Sequence, residues 1–280
     1  MPRPPVEWPI PVYVAELRDR LLTCFRTPGA LLRAHVPSPL VAELVHGEGF
    51  VVFAQGAGRC LKPIGGVETL ASEFRYVELF TPVRWRGACR AELRGNLLLR
   101  LCTDSPGLAR LVRTALHFEP GWGSRQDGPR FGAPVTPDEF RFVRPRDLDA
   151  WDGRSVLEDA AQAESLLVHA ERYFVPSGDG AALCAIPLHQ YARRTSAAPA
   201  SAEHAARVAE ELNIPLDQLV ADHVLFQKRC THTWSFPPER IPRAHIAPPR
   251  LCDLVRSRSR LAEQRGLELG RDAGHFRPAA

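Results

Sequence analysis

Apolar and polar positions along the chain follow two periods, and stretches with strand character outnumber helical ones. Residues 10–24 are mixed, and 50–54 form a short apolar run bounded by glycines, which suits a buried strand. Strand character continues over 74–83, 89–93 and 97–102, and Arg94-Gly95-Asn96 predicts a tight turn between the last two. The first half therefore reads as a meander. Asp104-Ser105-Pro106 then supplies a cap and a proline start, and over 107–117 Leu108, Leu111, Val112 and Ala115 share one face at helical spacing.

Residues 119–135 are rich in Gly and Pro and break all periodicity, which predicts a long loop, a candidate lid. A helix is predicted over 156–169. Strands follow over 173–175 and 182–186, joined by a turn at Ser177-Gly178-Asp179-Gly180. Residues 195–202 are small and polar and precede a helix over 203–212, capped by Ser201 and ended near Pro215. Together, 195–218 read as a helical insertion on the surface. Strand character returns over 224–234, and Pro248-Pro249 opens a helix to about residue 265 with Leu251, Leu254, Val255 and Leu261 as its stripe. The domain reading is one β-rich domain over 1–246, followed by a C-terminal helix and frayed tail over 247–280.

A chain of 280 residues can form one large or two modest domains, and its 45% hydrophobic and 24% charged residues are those of a soluble globular protein. The net charge of +4 is spread among 32 acidic residues rather than gathered in a stripe, so a nucleic-acid partner ranks last. Lysine is nearly absent: Lys62 and Lys228 are the only two. Seven cysteines, an odd number with no C-x-x-C pair, read as reduced core thiols. The opening Met1-Pro2-Arg3-Pro4-Pro5 lacks the apolar run of a signal peptide or membrane span, so the expected compartment is the cytoplasm, with no membrane association. Phosphate-binding and nucleophile-elbow motifs are missing, and Gly56-Ala57-Gly58 and Gly65-Gly66 read as turn glycines. His223 and His232 do not make metal-ligand spacing. Neither a metal nor a cofactor is expected.

Three stretches carry a resemblance. The first runs from Phe25-Arg26-Thr27-Pro28-Gly29-Ala30-Leu31-Leu32 through Val36-Pro37-Ser38-Pro39-Leu40. The second is Tyr76-Val77-Glu78 followed by Thr81-Pro82-Val83-Arg84-Trp85-Arg86-Gly87, and the third is 104–118. They cover roughly the first 120 residues, with a fainter echo from Glu171-Arg172-Tyr173 to Leu188. In pattern they resemble the acetoacetate decarboxylase-like superfamily, including its bacterial branch without an assigned reaction. The resemblance implies a β-rich α+β fold: a closed antiparallel β-barrel or meander with flanking helices around an interior pocket. It leaves room for a homo-oligomer.

In that family a lysine forms a Schiff base with a ketone substrate, and the segment matching it here, 115–122, contains no lysine. The resemblance therefore implies a decarboxylase-like enzyme, of lyase, hydratase or cyclase type, acting on a small carboxylated or keto metabolite without the usual nucleophile. The competing reading is a non-catalytic small-molecule-binding protein of the same fold. Arg18 falls where the family carries a carboxylate-binding arginine, and either Glu78 or Tyr76 occupies the position of its pocket glutamate, an acid–base group. Lys62 is the one lysine near the expected pocket segments. His117 and Glu119 lie beside the position of the missing lysine, where a histidine can shuttle protons or simply close a helix. Trp122 anchors the loop, and His189 sits at a predicted strand end. The catalytic candidates are thus Glu78, His117 and Lys62, and the substrate-binding ones Arg18, Tyr76, Glu119, Trp122 and His189.

Overall fold

The computed structural model describes residues 12–64, 71–86, 92–105, 108–109, 112, 155–168, 170, 172–176, 182–192, 195–200, 202, 204–235 and 239–242. Among them, eleven strands form one sheet: β1 (Val12–Pro28), β2 (Leu40–Ala42), β3 (Leu44–Val45), β4 (Glu48–Pro63), β5 (Ala71–Arg86), β6 (Glu92–Thr103), β7 (Arg172–Pro176), β8 (Ala182–Ala192), β9 (Thr195–Pro199), β10 (Val220–Ser235) and β11 (Glu239–Pro242). Helices are few and short: α1 (Gly29–Leu32), α2 (Ala160–Leu167) and α3 (Ala205–Leu212), with a 3-10 turn at Leu216–Gln218. Leu108, Ala109 and Val112 are also helical, within the predicted 107–117 helix. The predicted loop at 119–135 and the C-terminal helix and tail lie outside the described residues.

The strand order is β11-β8-β7-β6-β5-β4-β1-β10-β9, with β2 on β5 and β3 on β4. Every ladder is antiparallel except β6 with β7, where Asn96 and Leu97 run parallel to Tyr173 and Phe174. β8 also pairs with β10, Leu188 opposite Trp234 through Ala192 opposite Cys230. The meander expected for the first half is therefore real, but its strands are longer than their apolar runs. Hydrogen bonding carries β1 and β4 through Arg, Glu and Gly positions that break the apolar alternation.

Local chemistry overrides three sequence expectations. Arg94-Gly95-Asn96 is not a turn but part of β6, paired along β5, and its glycine lets β7 come close: a Cβ on Gly95 would stand 2.5 Å from the Arg172 carbonyl oxygen. Asn96, fully buried, donates from Nδ2 to the carbonyl of Leu167 at the end of α2. Gly56 and Gly58 are likewise not turn glycines: they sit in mid-β4, where the rings of Tyr76 and Phe74 from β5 lie over them. Residues 195–199 form β9 on the edge of β10 instead of opening a surface insertion, and the helix that follows is part of the core. Cys24, Cys102, Cys184 and Cys230 are buried as expected of core thiols, whereas Cys60 is exposed.

The sheet buries both faces. On one, α3 presses Ala205, Val208, Ala209 and Leu212 against Phe25, Phe53, Val77 and Leu79, and the His204 ring before the helix stacks on Phe53 at 4.5 Å. On the other face lie two clusters. Leu22, Cys24, Phe50, Val52, Phe80 and Leu225 pack under α2, whose Ala163 and Leu167 are buried there. Asp159 caps α2 by accepting from the Gln162 backbone N–H at 2.7 Å. The second cluster, around Leu17, Leu61, Phe74, Leu98, Tyr173 and Ile186, surrounds a cavity. Burial of each of the large side chains, such as Phe25, Phe50 and Phe80, contributes about 1.5–3 kcal/mol.

Between these two clusters the strand alternation steps by one. Ala15 and the cavity-lining Leu17 of β1 lie on the cavity side of the sheet, Arg18 and the exposed Asp19 both turn away, and Arg20, Leu22 and Cys24 return to that side. Asp19 takes a φ of 46°, and the β1–β4 register shifts between Arg18 and Leu21. The neighbouring strand answers it: the cavity-lining Trp234 and the buried Cys230 lie on the cavity side, Lys228 and Arg229 are exposed, and Gln227 and Leu225 turn back in. Arg18 pairs with Arg229 and Arg20 with Gln227 in an uninterrupted ladder.

Candidate active site

The cavity has about 70 Å³ of room and is lined by Leu17, Leu61, Phe74, Leu98, Leu101 and Ile186 among others, with Leu108 and Val112 at its side. That volume is on the order of five water-sized positions. Its walls are apolar except where Glu78, Tyr76 and Tyr173 enter. Phe74, Tyr76 and Glu78 reach it together because alternate residues of β5 share one face. Opposite them, Gly56 and Gly58 leave the space their rings fill: a Cβ on Gly56 would meet the Tyr76 hydroxyl at 2.7 Å, and one on Gly58 would meet the Phe74 ring at 2.0 Å.

Behind Glu78 lies Arg20, whose side chain is 0% exposed. Its Nη2 stands 3.5 Å from Glu78 Oε2 and donates to the Tyr173 hydroxyl at 3.4 Å. Tyr173 in turn donates to Glu78 Oε2 at 3.1 Å. Arg20 Nη1 is held by two amide oxygens, Gln190 Oε1 at 3.1 Å and Gln227 Oε1 at 3.2 Å. Glu78 retains 13% exposure. Burial raises its pKa above the ordinary carboxylate value, and the Arg20 charge and the Tyr173 hydrogen bond pull in the opposite direction. Burial likewise pushes the Tyr173 and Tyr76 phenols well up, so both stay protonated. Burial also works against the Arg20 charge, but its oxygen-rich neighbours Tyr76, Tyr173 and Glu78 keep the guanidinium protonated.

Two other buried groups complete the neighbourhood. The Tyr76 hydroxyl and both ring nitrogens of His232 make no hydrogen bond among the described residues. His232 is 1% exposed, packs edge-on against Trp234 with ring centroids 5.6 Å apart, and is held neutral first by burial and then by the Arg20 charge. Trp234 itself lines the cavity.

Of the residues singled out from the sequence, the structure brings Glu78 and Tyr76 together in the cavity. Both alternatives for the glutamate position therefore face it. Arg18 turns outward instead: 44% exposed, it bonds Glu16 at 3.0 Å, and Glu16 also takes Arg59 at 2.8 Å and Arg229 at 2.7 Å. The arginine behind the pocket is Arg20, the last residue of the polar run Arg18-Asp19-Arg20, which the step at Asp19 turns inward. Lys62 is exposed, one residue beyond the cavity-lining Leu61, and Lys228 is exposed beside Arg229. His189 lies within β8 opposite Thr233 rather than at a strand end. His117, Glu119 and Trp122 lie outside the described residues. Sequence reasoning missed Tyr173, Gln190 and Gln227, whose only signal is that each is a polar residue in a strand. Among the described residues, no group of three His, Cys, Asp or Glu side chains is placed to hold a metal ion, and no helix is long and apolar enough to cross a membrane.

No family model and no curated protein matches the chain. Among solved structures it is similar to an acetoacetate decarboxylase-like enzyme from Sphingomonas wittichii, at 13% identity over 85% of this chain and 95% of that one, with a TM-score of 0.48. It is also similar to the enduracididine biosynthesis enzyme MppR complexed with pyruvate (11% identity, 86% and 94% covered, TM-score 0.45). A third is the acetoacetate decarboxylase of Legionella pneumophila (13% identity, 88% and 94% covered, TM-score 0.41).

Proposed function

We propose that this protein is an acid–base enzyme acting on a small keto or carboxylated metabolite held in the apolar cavity, with Glu78 as the group that moves the proton. The observation that carries the reading is the placement of Glu78: a carboxyl at the wall of an apolar cavity, with its Oε2 hydrogen-bonded by Tyr173 and backed by buried Arg20. Raising a carboxylate's pKa makes it a stronger base near neutrality, and the opposing pull of Arg20 keeps a fraction ionised to accept a proton. An apolar wall opposite such a base suits removal of a proton from carbon next to a carbonyl, the step that lyase, hydratase and cyclase reactions of keto compounds share. The sequence resemblance of 25–40, 76–87 and 104–118 points to the same chemistry, and the pairing of β8 with β10 as well as β7 supports a sheet curled closed around the cavity.

The reading gives no covalent role to a lysine, since Lys62 and Lys228, the only two in the chain, are both exposed. It is tested by incubating the protein in D₂O with a panel of small α- and β-keto acids and ketones and following deuterium exchange next to the carbonyl by NMR. Wild type should exchange at least one member, and Glu78→Gln should be slower by about 10²- to 10⁴-fold. Equal exchange in the two proteins would overturn the assignment.

A further inference from the structure

The Arg20 guanidinium is fixed beside Glu78 by the Gln190 and Gln227 amides and the Tyr173 hydroxyl, and the Gln227 line runs on, away from the cavity. Gln227 Oε1 accepts from Arg20 Nη1, while Gln227 Nε2 donates to Thr195 Oγ1 of β9 at 3.5 Å. Thr195 Oγ1 donates to Glu164 Oε1 of α2 at 2.7 Å. The order of donors in this row is not arbitrary. A carboxylate only accepts, so the hydroxyl proton of Thr195 goes to Glu164 and its oxygen is left to accept. The amide that meets it must present its NH₂, and the carbonyl oxygen of Gln227 is thereby turned toward Arg20.

We infer that Glu164 and Thr195 are positioning residues for Glu78: they set the direction of the Gln227 amide, which holds Arg20 against the carboxyl. The inference rests on Glu78 as the working group of the cavity. It makes α2 and β9, which do not line the cavity, determinants of its acidity. Removing the acceptor at 164 frees the Thr195 hydroxyl to donate to Gln227. The amide can then turn its NH₂ toward Arg20, two donors face each other, and the guanidinium loosens from Glu78. Because the Arg20 charge lowers the Glu78 pKa, that loosening raises it.

The test is a pH titration of the Glu78 carboxyl by NMR of protein with ¹³C-labelled glutamate side chains, the resonance being assigned by its loss in Glu78→Gln. Thr195→Val and the half-buried Glu164→Ala should both move the Glu78 midpoint upward, and Thr195→Ser, which keeps the hydroxyl, should return it to the wild-type value. A midpoint unchanged in Glu164→Ala and Thr195→Val, or one moved equally by Thr195→Ser, would overturn the inference. The titration needs no turnover, so it stands even if no keto compound exchanges and the catalytic reading fails. Conversely, deuterium exchange lost in Glu78→Gln beside an unmoved midpoint would sink the positioning role alone.

Discussion

Arg20 Nη2 and Glu78 Oε2 lie 3.5 Å apart at the cavity wall, joined on a second path by the Tyr173 hydroxyl that bonds both. Arg20 is the charge closest to compensating Glu78, while Arg20 itself is held by Tyr173, Gln190 and Gln227 as well as by Glu78. A buried ion pair is weak evidence of net stabilisation, but removal of one partner leaves the other stranded.

Arg20→Leu is accordingly expected to cost about 3–5 kcal/mol in urea unfolding, because Glu78 keeps its desolvation without its counter-charge. The double variant Arg20→Leu/Glu78→Leu should recover most of that loss. A single variant as stable as wild type would mean that the pair is not closed in solution.

The pH dependence of stability carries the sign of the Glu78 shift. Its pKa is raised in the folded protein, so the folded state binds more protons than the unfolded one above the ordinary glutamate value of about 4.3. The Glu78 contribution is fully present below that value and is lost as pH rises through the folded pKa. Wild type should therefore lose stability relative to Glu78→Gln as pH is raised from about 4 toward neutrality, read as the difference in melting temperature. A difference that grows in the opposite direction would show that Arg20 outweighs burial.

Tyr173→Phe removes the hydrogen bond that lowers the Glu78 pKa. If Glu78 is the base, the acid limb of the rate profile for deuterium exchange should move to higher pH. Binding of substrate should change little. A fall in rate with no movement of the limb would assign Tyr173 to packing.

Much of the strand content was legible: β5, β7, β8 and β10 were anticipated where Phe74, Tyr173, Ala182 and Val224 begin apolar runs. Glu78 and Tyr76 were legible only as alternatives for one position of the resemblance, and the alternation along β5 is what lets both face the cavity. What stayed hidden was hidden for local reasons. A Gly between two strand segments looks like a turn until the ring from the next strand is seen to lie over it, as with Gly56 and Gly58. Arg20 looked exposed because Arg18, Asp19 and Arg20 form an unbroken polar run, and no periodicity marks a backbone step inside it. Gln190 and Gln227 gave no signal, since their role depends on facing an arginine 170 and 207 residues away.

The opposite face of β1 offers a contrasting titration. Glu16 is hydrogen-bonded by Arg229, then Arg59 and Arg18, which hold its carboxyl well below the usual carboxylate range. A lowered folded pKa means stability present above about 4.3 and lost as pH falls. Glu16→Gln should thus be slightly less stable than wild type near neutrality, equal to it in strong acid, and equal to it in 1 M salt, where exposed charges are screened. A loss that persists in salt would point to packing rather than charge.

Gly58→Ala should destabilise by about 1–3 kcal/mol in urea unfolding, since its new methyl would overlap the Phe74 ring. A compensating Phe74→Leu in the same chain should restore part of the loss. Should Gly58→Ala be neutral alone, the ring is free to move and the cavity wall is softer than its packing implies.

The paired step in β1 and β10 changes how positions along these strands must be counted. Before it, odd-numbered residues of β1, Ala15 and the cavity-lining Leu17, lie on the cavity side of the sheet; after it, even-numbered ones such as Arg20, Leu22 and Cys24 occupy the same face. β10 changes parity at the matching place, so the ladder between them stays in register and conceals the exchange. Asp19 is the extra residue that β1 carries against β4, so deleting it would leave Arg20, Leu22 and Cys24 on their present face and move the mismatch to β10, where the two outward residues Lys228 and Arg229 would stand opposite Arg18 alone. Any comparison of this chain with another that aligns β1 by hydrophobic period alone will match the wrong arginine.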